Sequence, residues 1–136
     1  MQEHKKWLKL VEDDIKSAKG LLKIEIFSTA TYHCQQAAEK ALKAYLAFEK
    51  HRIIKTHDLM KLILLCSNFD KTFDQLYDDA AHLNPFATKF RYPTEFDIPN
   101  LEDTRIAIKH AQKIVDHVLK KIAEAKIGQK DIFLAK

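Results

Sequence analysis

The sequence predicts an all-α fold, an antiparallel bundle of four main helices plus one short helix, and three observations carry that expectation. With only 2 Gly and 3 Pro in 136 residues, there is little material for hairpin turns or a glycine-rich phosphate loop. Apolar residues recur at steps of three and four through most of the chain, which is the helical period. Apolar residues at 46% and charged residues at 31% are the balance of a globular chain rather than of a disordered tail or a membrane span. A chain of this length is the size of one domain and can bury roughly two thirds of its unfolded surface.

The first helix is expected from about Glu3 to Ile26, where Trp7, Leu8, Val11, Ile15, Ala18, Leu22 and Ile26 form one stripe, with Gly20 a soft spot within it. The second is expected from about Thr29 to Lys50. At about 100° per residue, Cys34, Ala37, Ala38, Ala41, Ala44, Tyr45 and Phe48 share one half-turn, and Tyr32, Gln36, Glu39, Lys40 and Lys43 lie opposite. The alanines suggest a close helix contact. The stretch "HRIIKT" breaks the pattern, and Thr56 is placed to cap a third helix that begins at His57 with Asp58 in its first turn. That helix, "HDLMKLILLC", is apolar over most of its circumference and should be central. "KTFDQLYDDAAHL" reads as the short helix. "NPFATKFRYPTEFDIPN" holds all three prolines and reads as an ordered irregular loop. Asn100, with Glu102 and Asp103 after it, starts the last helix, whose buried stripe is Ala107, Ala111, Ile114, Val115, Val118 and Ile122. Gly128 is expected to end it. The bundle therefore occupies residues 1–127, and 128–136 form a C-terminal tail.

Several function classes are excluded by composition. Cys34 and Cys66 have no paired spacing, and no Cys/His cluster falls at zinc intervals, so neither a metal nor another cofactor is expected and a reduced, cytoplasmic setting fits. The charged start "MQEHKKWLKLVEDD" offers no apolar signal or anchor, and no membrane association is expected. A formal charge of +4 and a pI near 9.0 lean toward anionic partners, weakly. No Ser/His/Asp set, Cys/His pair or carboxylate cluster for Mg²⁺ can be assembled.

Three blocks resemble a known family. Gln35, Gln36, Ala37, Ala38, Glu39, Lys40 and Ala41 form the first, His57, Asp58 and Leu59 the second, and Arg91, Tyr92 and Pro93 the third. Together they are similar to the HEPN family (higher eukaryotes and prokaryotes nucleotide-binding), and with the helix layout the resemblance covers nearly the whole chain. It implies a small helical bundle that usually forms a homodimer, is often encoded beside a minimal nucleotidyltransferase, and works in toxin–antitoxin or defence modules. A subset of the family cleaves RNA without metal, using an Arg followed a few residues later by a His.

Two places match that spacing, Arg52 with His57 and Arg105 with His110. Metal-free cleavage needs a base for the 2′-hydroxyl, an acid for the leaving oxygen and a cation for the phosphorane, which a His and an Arg from each of two subunits could supply. Neither Arg is followed by the polar residue frequent in the subset, since Ile53 and Ile106 stand there. Five helical steps also put Arg105 and His110 about 140° apart. For binding, Gln36, Lys40 and Lys43 point one way with His33 at the edge. They form either a solvated face with a Glu39–Lys43 ion pair or one wall of a groove whose floor holds Arg91 and Tyr92, for cationic and stacking contacts to a nucleotide or RNA. His57 and Asp58 at a helix start serve either as a cap or as an anion site. His4, His51, His82 and His117 read as ordinary helix or loop residues.

Overall fold

The structure is a computed structural model that describes residues 2–88 and 98–134, with the backbone alone described over 129–134. Five α-helices follow in order: α1 Glu3–Lys23, α2 Phe27–Phe48, α3 Leu59–Ser67, α4 Tyr77–Leu83 and α5 Leu101–Leu134. Short 3-10 turns at Lys71–Leu76 and Asn84–Ala87 flank α4, so the expected short helix is a 3-10 turn running into an α-helix. No strand occurs among the described residues.

The central element is α2, not α3. Thirteen of its 22 residues are buried, because α1, α5 and α3 all pack against it. Ala37, Ala38, Ala41 and Ala44 are fully buried, and side chains this small let neighbouring backbones approach closely. α1 runs antiparallel to α2, with Trp7 beside Lys43 and Asp14 beside Lys40 and His33. α3 buries Leu59, Leu62, Ile63 and Cys66 but leaves Leu64 exposed, so its apolar circumference is only partly used.

Helix ends show where the chain departs from its sequence pattern. α1 and α2 both stop in paired backbone hydrogen bonds around a left-handed residue. Glu25 N donates to Leu22 O and Ile26 N to Leu21 O, and Lys50 N donates to Ala47 O and His51 N to Leu46 O. Glycine usually takes that position, yet Glu25 at φ 61 and Lys50 at φ 57 hold it here. Both glycines sit inside helices instead. α5 continues through Gly128 to Leu134, so the helix does not stop where it was expected to, and one glycine's penalty of about 1 kcal/mol is not enough to end it. Its start is as expected, with Asp103 N donating to Asn100 Oδ1 and Asn100 N to Asp103 Oδ2, a reciprocal capping arrangement.

Cys34 and Cys66 are free and buried, and burial pushes the Cys34 thiol up to about 12, so neither is a poised nucleophile. No helix among the described residues is long and apolar enough to cross a membrane.

Candidate functional site

A polar row runs along α2 inside the bundle. Gln35, Glu39 and Lys43 follow at four-residue steps, and all three are buried. Lys43 Nζ donates to Glu39 Oε2 at 3.0 Å, and the His57 ring meets Glu39 Oε1 through Nδ1 at 2.7 Å. Gln35 Nε2 donates to Glu39 Oε1 at 3.4 Å and to the His57 carbonyl at 3.0 Å, and Gln36 donates to Gln35 Oε1 at 2.8 Å. Trp7 of α1 lies against the ammonium, its ring centroid 5.8 Å from Nζ. Removing a carboxylate and an ammonium from water is costly, and the cost is offset only when their other hydrogen-bonding positions are filled. Gln35 and His57 fill those that Lys43 leaves on Glu39. The expected Glu39–Lys43 pair thus forms, but inside the protein rather than on a solvated face, and Lys43 points inward.

Asp14 of α1 anchors a second group beside this row. Its buried carboxylate accepts from His33 Nδ1 and from Lys40 Nζ, each at 2.8 Å, and both donors remain partly exposed. A carboxylate only accepts, so the Nδ1 of His33 and of His57 carries the proton. Each neutral ring then offers Nε2 as an acceptor, and each imidazolium offers it as a donor.

The first-turn amides of α3 already have partners. Asp58, not Thr56, is its cap, with Oδ1 accepting from Met60 N and Lys61 N, while Thr56 Oγ1 accepts from Asp58 N. Asn84 Oδ1 takes the Leu59 amide at 2.8 Å, and its Nδ2 donates to Asp58. The amides that would have met an anion are occupied, so Asp58 is a structural cap here.

A third carboxylate lies on the α4/α5 side. Buried Asp79 accepts from His110 Nδ1 at 2.7 Å and pairs with Lys113 Nζ at 3.4 Å. The His82 ring lies 4.3 Å from that of His110, tilted by 32°. Burial, then the neighbouring His110, holds His82 below the ordinary histidine value.

Neither Arg–His pair is joined by a contact among the described residues. Arg105 is exposed, and it is Asp79 that holds the His110 ring. Arg52 lines a cleft with residues of α1 and α5 that does not include His57. Arg91 and Tyr92 lie outside the described residues. Asp14, Gln35, Asp79 and His82 are not among the site residues that the sequence leads one to expect, Gln35 entering there only through the family block and His82 only as an ordinary residue. Gln35 had a signal, because it stands seven residues before Leu42 and so shares its side of the helix. Asp14 and Asp79 had none, since their partners are distant along the chain.

Comparison with known proteins places the bundle. A family model described as the HEPN domain matches residues 4–122. The fold is similar to the crystal structure of TT1696 from Thermus thermophilus, with a TM-score of 0.80 at 24% identity over 89% of this chain and 99% of that one. It is also similar to ST0689, an archaeal HEPN homologue, with a TM-score of 0.72 at 23% identity over 90% of this chain and 99% of that one. No curated protein matches. At these identities the solved structures speak to the fold, and the family model, spanning most of the chain, decides membership. The chain belongs to the HEPN domain family.

Proposed function

We propose that this chain is a nucleotide- or RNA-binding module whose contact surface follows the α2 flank from His33 and Lys40 to His57. The observation that carries the reading is that the His57 side chain is 75% exposed while the Glu39 side chain that holds it is 5% exposed. A surface histidine needs no buried carboxylate, and such a carboxylate is costly to keep. What the arrangement provides is an exposed ring of fixed orientation, with Lys40 and His33 similarly fixed by Asp14. Oriented donors and a cation suit phosphate oxygens and the edges of unstacked bases. The family resemblance supports a homodimer that works with a minimal nucleotidyltransferase in a toxin–antitoxin or defence module.

Fluorescence anisotropy with labelled single-stranded RNA, competed by free nucleotides, tests the surface. His57→Ala is expected to weaken binding by about fivefold or more, roughly the loss of one good hydrogen bond. Lys40→Ala is expected to reduce the salt dependence by about one phosphate contact. Binding that ignores both substitutions would rule the flank out.

A second reading, a metal-independent ribonuclease, is favoured by the α4/α5 cluster. Burial and the neighbouring His110 hold His82 below the ordinary histidine value, the direction that suits a base, and Asp79 orients His110, as an acid requires. RNA cleavage in EDTA to 2′,3′-cyclic phosphate ends, abolished by His110→Ala and unaffected by His57→Ala, is its signature. No cleavage above the His110→Ala background retires it for the isolated chain.

A further inference from the structure

α1 and α5 both pack along α2 and touch each other less than either touches α2. Between them lies an open groove of about 670 Å³. Its floor is apolar, made of Leu8, Val11 and Ile15 from α1 and Val115 and Leu119 from α5. Val11 and Val115 are buried, but Leu119 is 45% exposed, and Leu8 and Ile15 are only half covered. A continuous apolar strip with a polar rim marks an interaction surface, which a lone surface leucine does not. The rim is one-sided in charge. Lys5, Lys9, Lys16 and Lys19 line the α1 bank, and at about 100° per residue they lie just round the helix from Leu8 and Ile15. Among the described residues that line the groove Glu12 is the one acid, and Lys16 already holds it at 2.9 Å. Lys5, Lys9 and Lys19 form no ion pair among the described residues, whereas Lys40, Lys43 and Lys121 each do. The α5 bank presents Gln112, which is uncharged and donates to Asp116.

We propose that this groove seats an acidic amphipathic helix of a partner protein, its apolar side chains on the floor and its carboxylates on the flank beside α1. The seat from Lys5 to Lys19 spans about 21 Å of helix at about 1.5 Å per residue, room for about four turns. A helix laid in such a groove anchors itself through residues at i, i+3 or i+4, and i+7, which matches an apolar floor set between two helices. RNA would use the lysines but not the floor, because unstacked bases favour aromatic platforms and no aromatic residue lines this groove among the described residues. A second copy of the chain fits no better. A two-fold contact sets the same patch against itself, which would face lysines with lysines in a chain that already carries a net charge of +4. His33, Lys40 and His57 are not part of the groove, so it stands or falls apart from the α2 flank.

Fluorescence anisotropy of the full chain with two designed helical peptides, each about fifteen residues long to match the seat, tests the proposal. Both carry the same leucine stripe, one with glutamates along its flank and the other with lysines. The glutamate peptide is expected to bind and the lysine peptide to fail. Leu119→Ser should weaken the glutamate peptide by about tenfold through lost apolar burial, and Lys9→Glu by about fivefold. Lys5→Glu combined with Lys9→Glu should make the lysine peptide the tighter ligand, a reversal that misfolding cannot produce. Lys61→Ala, at an exposed lysine on α3, is the control and should change nothing. No binding, equal binding of the two peptides, or indifference to Leu119→Ser would each overturn the proposal. Single-stranded RNA binding that weakens in Lys9→Glu would give the groove to nucleic acid instead, and light scattering in which Leu119→Asp turns a dimer into a monomer would give it to a second copy.

Discussion

The Glu39 and Asp79 clusters share a plan and differ in what surrounds it. In each, a buried carboxylate holds a histidine through Nδ1 at 2.7 Å and also faces a lysine. Around Glu39 the lysine is 8% exposed and the histidine 75% exposed. Around Asp79 the lysine is 62% exposed, and the histidine is covered by a second one, His82. The first cluster therefore neutralises its carboxylate from within and turns its histidine outward. The second neutralises its carboxylate from the surface and turns its histidine toward another titrating ring. A common pair of residue types leaves an exposed ring in one place and a ring packed on a second histidine in the other, according to which partner is desolvated.

The contrast is sharpest in stability. Lys43→Met leaves Glu39 buried without its ammonium and is expected to cost about 3–5 kcal/mol in chemical denaturation. Lys113→Met, at a lysine that solvent already screens, should cost no more than about 1 kcal/mol. Equal losses would mean that burial does not separate the clusters. Combining Lys43→Met with Glu39→Gln should recover much of the first loss, because removing both charges of a buried pair is far less harmful than removing one.

Acid sensitivity sharpens the second half of the contrast. His82 is held below its ordinary value of 6.5, so the folded chain takes up its proton later than the unfolded one. Its contribution to stability is complete above that value and is lost as the pH falls through it toward the folded value. Melting temperatures followed from about pH 7.5 to about pH 5 should therefore fall less steeply in His82→Gln than in the parent. His4 and His117, also lowered chiefly by burial, retain part of the slope in both. An unchanged slope would remove His82 from the account.

Much of this bundle was readable in advance, and what was not has identifiable physical causes. Val11, Ala18, Ala37, Ala41, Ala111 and Ile122 announce their burial through helical period, and Asn100 with Asp103 announces a helix start. Glu39 and Lys43 lie inside rather than on the polar side because an amphipathic reading sends every Glu and Lys to the surface, whereas these two satisfy each other, with Gln35, in the interior. Thr56 and Asp58 both suit a cap, and the Met60 and Lys61 amides on Asp58 Oδ1, with Asn84 on the Leu59 amide, show where α3 begins. Asp58→Ala should accordingly cost about 1 kcal/mol, a loss confined to α3 that leaves both carboxylate clusters in place.

The smallest effect comes from a residue outside both clusters. Gly20 lies within α1 without a positive backbone angle, and a Cβ built on it meets nothing within 4 Å. Alanine there adds no clash and removes backbone freedom from the unfolded chain, so Gly20→Ala should raise stability by about 0.5–1 kcal/mol. The gain is close in size, and opposite in sign, to the largest loss expected from Lys113→Met, which makes it the scale on which the surface-neutralised cluster is judged. α1 also carries Asp14, the anchor of His33 and Lys40. A stiffer α1 with unchanged RNA affinity would show that Asp14 is already held in place by its own hydrogen bonds rather than by the rigidity of the helix that bears it.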